Sequence, residues 1–163
     1  MLENLQDLVR QNAGDAIINN PAIPNERNEE VVADASSSII SGLKGAVANG
    51  NTENLMGLFN GGGQAAATSP VAQNIQSGFV QNLMQKFGLD HGKAAGIAAS
   101  LIPTVLQKFV HKTNDPNDKS FDLSSIIGSL TGGGGLGSLM NNLGGGDDKE
   151  GGGIMGKIGG MFK

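Results

Sequence analysis

The stretch Leu89–Lys112, LDHGKAAGIAASLIPTVLQKFVHK, decides the fold. Within it Ala94, Ile97, Ala98, Leu101, Ile102, Val105 and Phe109 recur at helical spacing. Ala95, Ala99, Leu106 and Val110 widen that stripe, leaving only Lys93, Ser100, Thr104, Gln107 and His111 as a narrow polar strip. A helix apolar over most of its circumference has to be surrounded by other elements. The segment is therefore expected to be the central helix of an all-α bundle. Pro103 falls inside it, where proline removes one backbone hydrogen bond and costs about 3 kcal/mol. The stripe nevertheless runs through Pro103 without a change of phase, so one kinked helix is expected rather than two abutting ones.

Amphipathic segments flank this helix on both sides. Residues 1 to 19 place Leu2, Leu5, Val9, Ala13, Ala16 and Ile17 on one face, until Pro21 and Pro24 stop the helix. A second helix, Asn28 to Ala48, carries Val31, Val32, Ala35, Ile39, Leu43 and Val47, with Glu29 and Glu30 at the positive end of its dipole. A short third helix, Thr52 to Phe59, takes its cap from Asn51 or Thr52. Gly61 to Gly63 close it, and residues 64–68 read as loop. Ser69-Pro70 is a helix start, and Val71, Ile75, Phe79, Leu83 and Phe87 follow at every fourth position. Gly88 then supplies a left-handed stop, and Asp90 caps the central helix. Beyond Lys112 a polar loop, Asn114 to Lys119, leads to Asp122, the cap of a short helix with Leu123, Ile126, Ile127 and Leu130. The expectation is a single domain of five or six helices over residues 1–131. A flexible glycine-rich tail, 132–163, follows it, because glycine there offers no side chain to bury. The tail ends in an apolar tip, Ile154, Met155, Ile158, Met161 and Phe162, interleaved with Lys157 and Lys163.

Composition narrows the function. The 163 residues include 27 glycines and no Cys, Trp or Tyr, and all six aromatic residues are Phe. The core must therefore be built from aliphatic side chains, with small residues letting backbones approach. No thiolate nucleophile, disulfide or cysteine metal site is available. A formal net charge of −4 argues against nucleic acid as a partner, for which a basic surface is the usual footprint. The opening MLENLQDLVRQN has no apolar run of a secretory signal, and no window of about 18 apolar residues spans a membrane. A soluble, cytoplasmic protein is expected.

Two further motifs carry a family resemblance: Leu101-Ile102-Pro103 with Val105-Leu106, and the loop Lys112-Thr113-Asn114-Asp115-Pro116-Asn117-Asp118 leading into Phe121-Asp122-Leu123. Over residues 1–131 the chain resembles a domain-of-unknown-function family of small bacterial proteins related to the YidB-like proteins. The resemblance implies a bacterial, mainly helical, soluble domain, and carries over no catalytic residue, ligand or cofactor.

No candidate chemistry outweighs its structural explanation. Asp115, Asn117, Asp118 and Asp122 are the only cluster suited to a hard cation, but calcium needs six or more oxygens. The glycine of a calcium loop is missing and Lys119 intrudes. Turn and capping bonds explain these residues better. His91 and His111 lie at opposite ends of one helix, so they cannot act as a pair. Gly132 to Gly135 and Gly61 to Gly63 lack the Gly-Lys-Ser/Thr ending of a phosphate loop. Ser36 to Ser38 have no neighbouring histidine and read as small packing residues.

The expected function is that of a non-catalytic interaction or scaffold protein, with a second copy among its candidate partners and no cofactor or metal. The tip is its expected interaction element, docking in cis, on a partner or on a membrane surface; peripheral membrane anchoring through the tip is the rival. Asp115 and Asp118 are expected to bind no structural metal, so thermal melts in EDTA and in excess calcium should coincide. A calcium-dependent rise of several degrees, abolished by Asp118→Ala, would overturn that expectation.

Overall fold

The structure, a computed structural model, describes residues 2–130, and the tail expected at 132–163 with its apolar tip lies outside the described residues. The described chain is all-α, with no strand. Its helices are α1 (Leu2–Asn12), α2 (Asn28–Ala48), α3 (Thr52–Asn60), α4 (Gly62–Thr68), α5 (Pro70–Phe87), α6 (His91–Thr113) and α7 (Leu123–Leu130). A π-turn at Gly14–Ile18 and 3-10 turns at Asn25–Arg27 and Lys119–Phe121 complete it.

Local chemistry sets the boundaries of the longest elements. Ser69 Oγ accepts the Ala72 N–H at 3.1 Å, so α5 starts on a capped turn with proline at its first position. Gly88, at φ +66°, ends α5 in the left-handed region and turns the chain straight into α6. Asp90 then accepts the Lys93 N–H at 3.1 Å and caps α6. Helices α5 and α6 thereby form an antiparallel hairpin with a three-residue connection, 88–90.

Helix α6 runs unbroken through Pro103 and packs against α1, α3, α4 and α5. Ala94, Ile97, Ala98, Leu101, Ile102, Val105, Leu106, Phe109 and Val110 are all buried on it. They belong to one connected hydrophobic core to which every α-helix of the described domain contributes. The rings of Phe59 and Phe121 meet that of Phe109 at 6.0 and 5.3 Å, tying α3 and the 119–121 turn to α6. At the other end Arg27 lies 4.4 Å over the Phe87 ring and donates to the Lys86 carbonyl at 3.1 Å. A cation at the negative end of α5 pins the start of α2 there.

The structure departs from the sequence expectation in three places. The first helix stops at Asn12, and residues 14–18 form a wider π-turn with Ile18 N–H bonded to the Ala13 carbonyl. The wider turn keeps Ala13 and Ile17 fully buried while Ile18 turns outward. Residues 64–68, expected as loop, belong to α4, which brings the described α-helices to seven. Gly62 adopts φ +76°, which lets the chain leave α3 and begin a new helix at once. Gly63 then approaches α6 so closely that a β-carbon there would lie 3.1 Å from the Gln107 carbonyl oxygen. A larger side chain there would have to push α4 and α6 apart by a few tenths of an ångström, and at this close approach the Ala-rich turn packs as a helix instead of a loop.

The third departure concerns α6 itself, which is not surrounded along its whole length. Phe59, Gly63 and the Asn114–Phe59 hydrogen bond of 2.8 Å place α3 and α4 over its second half. Along the first half Gly92, Gly96 and Ala99 are exposed beside Lys93 and Ser100. Leu101, 1% exposed, sits on the covered side. Leu101→Ala should therefore cost about 2–5 kcal/mol through lost transfer energy and the cavity left behind. Urea denaturation checks this, and a loss under about 1 kcal/mol would show that α6 does not hold the core.

Candidate functional site

Two grooves run along opposite flanks of α5, and both depend on how α5 is seated. The first lies between α5 and the open half of α6. Val80 and Met84 of α5 face Ala95, Ala98 and Ala99 of α6 across it, with Gln73, Gln76, Ser77, Gln81 and His91 on the rim. Its volume is about 640 Å³. The floor is methyl groups, and Met84, 39% exposed, is one of the few large apolar side chains the described surface shows. Pro103, having no N–H, leaves the carbonyl of Ala99 without its usual intrahelical donor.

The second groove, about 540 Å³, lies between α2 and α5 and carries more charged and polar side chains, around Ile75. Asp34, Ser37, Ser38 and Ser41 face Asn74, Asn82 and Lys86 across it. Gly42 makes this interface close, because a β-carbon there would overlap the Ile75 side chain. The Lys86 ammonium pairs with Asp34 Oδ1, and Asn82 Nδ2 donates to Ser38 Oγ at 3.1 Å. Asp34 Oδ2 is buried and has no hydrogen-bond partner among the described residues. Sequence reasoning passed over this aspartate. The available signal was its position inside the α2 stripe, three residues after Val31 and one before Ala35.

The residues singled out from the sequence are placed as follows. Asp115 Oδ1 accepts the Asn117 N–H at 2.9 Å, Asp118 Oδ1 accepts that of Ser120 at 3.0 Å, and Asp122 Oδ2 accepts that of Ser125 at 3.0 Å. Lys112 Nζ reaches Asp118 Oδ2 at 2.9 Å. That ammonium and the Ser120 N–H hold the Asp118 carboxyl below the usual carboxylate range. These bonds close the turns that seat Phe121 under α6. His91 opens α6 and His111 lies in its last turn. Ser36 is buried, with its hydroxyl on the Val32 carbonyl at 2.9 Å, whereas Ser37 and Ser38 line the polar groove. Ile154, Met155, Ile158, Met161 and Phe162 lie outside the described residues. No group of three or more metal-ligating His, Cys, Asp or Glu occurs among the described residues.

The polar groove generates an asymmetric prediction. The Asp34 side chain is 6% exposed and its partner Lys86 is 59% exposed. Removing the lysine strands a buried carboxylate, while removing the aspartate leaves an ammonium that water can solvate. Lys86→Met should therefore cost about 1–3 kcal/mol, and Asp34→Asn less than about 1 kcal/mol. Equal losses in urea titrations would contradict the burial argument. For Asp118 the sign follows from a lowered folded-state pKa: its contribution is complete above the unfolded carboxylate pKa and fades as pH falls through the folded one. The stability gap between the protein and Asp118→Asn should accordingly be full at neutral pH and close on acidification. A gap that widens in acid would reverse the assignment.

Comparison with protein families, with characterised proteins and with solved structures gives no match to this chain.

Proposed function

We propose that this is a non-catalytic interaction protein: a helical bundle organised around the proline-kinked α6, bearing on a glycine-rich tether an apolar peptide, Ile154–Phe162, that engages a protein partner. The observation that supports this reading is the open flank of α6. An otherwise packed helix leaves Ala95 and Ala99 beside Val80 and Met84 in a groove of about 640 Å³. Surfaces of this kind accept apolar side chains. Catalytic sites instead gather titratable groups with matched protonation behaviour. The groove offers a single imidazole among amides and methyl groups.

A cytoplasmic location accompanies this proposal, as does membership of the YidB-like group that the loop and proline motifs resemble. Among the described residues no helix is long and apolar enough to cross a membrane. The tip supplies five large apolar side chains on a segment with two lysines, Lys157 and Lys163. Burying each such side chain gains about 1.5–3 kcal/mol, enough to order a short peptide on a complementary surface.

The test uses the full chain as bait in the native cell extract, beside the double variant Ile158→Asp, Phe162→Asp. A protein retained by the full chain should be lost by the variant, and once purified should bind the full chain at least tenfold more tightly. The same set of proteins recovered from both baits would sink the reading. Sedimentation of the full chain, and not of the variant, with anionic vesicles would replace it with a membrane-surface role.

A further inference from the structure

We infer that the groove between α5 and the first half of α6 is the seat of the chain's own C-terminal peptide, Ile154–Phe162, docked in cis. The inference rests on the reading of that peptide as an interaction element, and adds where it sits when no partner holds it.

The spacing of the peptide's side chains is the first reason. On a helix of 3.6 residues per turn, Ile154, Met155, Ile158, Met161 and Phe162 fall within an arc of about 120°. Gly156, Lys157, Gly159, Gly160 and Lys163 fill the remainder. A helix formed by this peptide on docking would therefore present a single apolar face.

Size complementarity is the second. Over the second half of α6 the bulky residues belong to α6, where Leu106 and Val110 are buried, and the covering helix α4 contributes Gly63 and Ala66. Over the first half the relation is reversed. There α6 presents only the small side chains of Ala95 and Ala99 to the groove, which leaves room above them for a cover whose own side chains are large. The C-terminal peptide supplies them. The α2–α5 groove is lined by Asp34, Lys86, serines and asparagines besides Ile75, so an apolar face entering it would have to cover charged and amide groups.

Reach is the third. Leu130 ends α7 buried, with α7 against α2. A glycine-rich coil of the length 131–153 spans roughly 25 Å root-mean-square, against a domain roughly 35 Å across. Tethering holds the peptide at about millimolar effective concentration. That exceeds the concentration of any second copy at micromolar protein, so the occupant is the chain's own peptide.

The chain has no cysteine, so Lys163→Cys accepts a single nitroxide label. Paramagnetic broadening in the full chain should concentrate on the amides of Met84, Ala95 and Ala99 and spare the 115–120 turn. A mixture of isotope-labelled chain with unlabelled spin-labelled chain should show none. Ala99→Glu, at an exposed position, should abolish the broadening without shifting the melting temperature. The same substitution should raise affinity for a tip-dependent partner, about tenfold if the groove is filled nine-tenths of the time. Uniform broadening, or broadening only in the mixed sample, would overturn the cis seat. If the groove stays unbroadened while Ile158→Asp, Phe162→Asp still loses its partner, the seat fails and the interaction reading stands. If the groove is broadened and the double variant keeps every partner, the seat stands and the interaction reading fails.

Discussion

Phe109 is the residue on which the described fold converges. Fully buried in the second half of α6, it meets Phe59 of α3 on one side and Phe121 of the 119–121 turn on the other. A chain with six aromatic residues places three of them in this one cluster. Elsewhere its interfaces must close by a different means. They do so by letting backbones approach: Gly42 of α2 lies against Ile75, and Gly63 of α4 lies against the backbone of Gln107. Aromatic area is thus concentrated where three elements meet, and small residues bring the remaining pairs into contact.

Helix α5 carries the polar counterpart of this arrangement. Its last turn collects Arg27 on Phe87 and on the Lys86 carbonyl, while the Lys86 ammonium reaches back to Asp34. Two basic residues therefore fasten α2 to the negative end of α5. The arrangement fixes the seat of α5 between α2 and α6, and with it the widths of both grooves. An unpaired buried acceptor such as Asp34 Oδ2 costs about 1–3 kcal/mol. The cost is tolerated at an interface that is otherwise ordered by apolar contacts along Ile39, Leu43, Ile75 and Phe79.

Helix positions were legible in the sequence wherever local chemistry sets them. Ser69-Pro70, Gly88 and Asp90 mark the ends of α5 and the start of α6 because each satisfies or releases specific backbone groups. The misses share a different cause. Residues 64–68 form a helix packed against α6, with Gly63 close to Gln107, and a contact across more than forty residues leaves no trace in local composition. The π-turn at 14–18 likewise reflects where the core requires Ala13 and Ile17. The pairing of Asp34 was invisible for a related reason: its partner, Lys86, lies fifty-two residues away in another helix. Of the candidate site, composition singled out the tip residues, which lie outside the described residues, and gave no sign of the groove.

The groove escaped notice because periodicity reports how apolar a helix is, not what covers it. Alanine makes that ambiguity worst. A leucine left in water forgoes about 1.5–3 kcal/mol of burial, so a leucine stripe nearly always announces a covered face. An alanine side chain has a single methyl group to hide. Ala95 and Ala99 therefore fit the same stripe as Ala94 and Ala98, yet Ala94 and Ala98 are buried and Ala99 is exposed. The same economy lets such a flank stand open. Leucines at those positions would expose a large apolar patch and invite association. Alanines keep the open state stable while leaving room above them for larger side chains. A floor of methyl groups can thus stay open to water at little cost and still leave space for an apolar face.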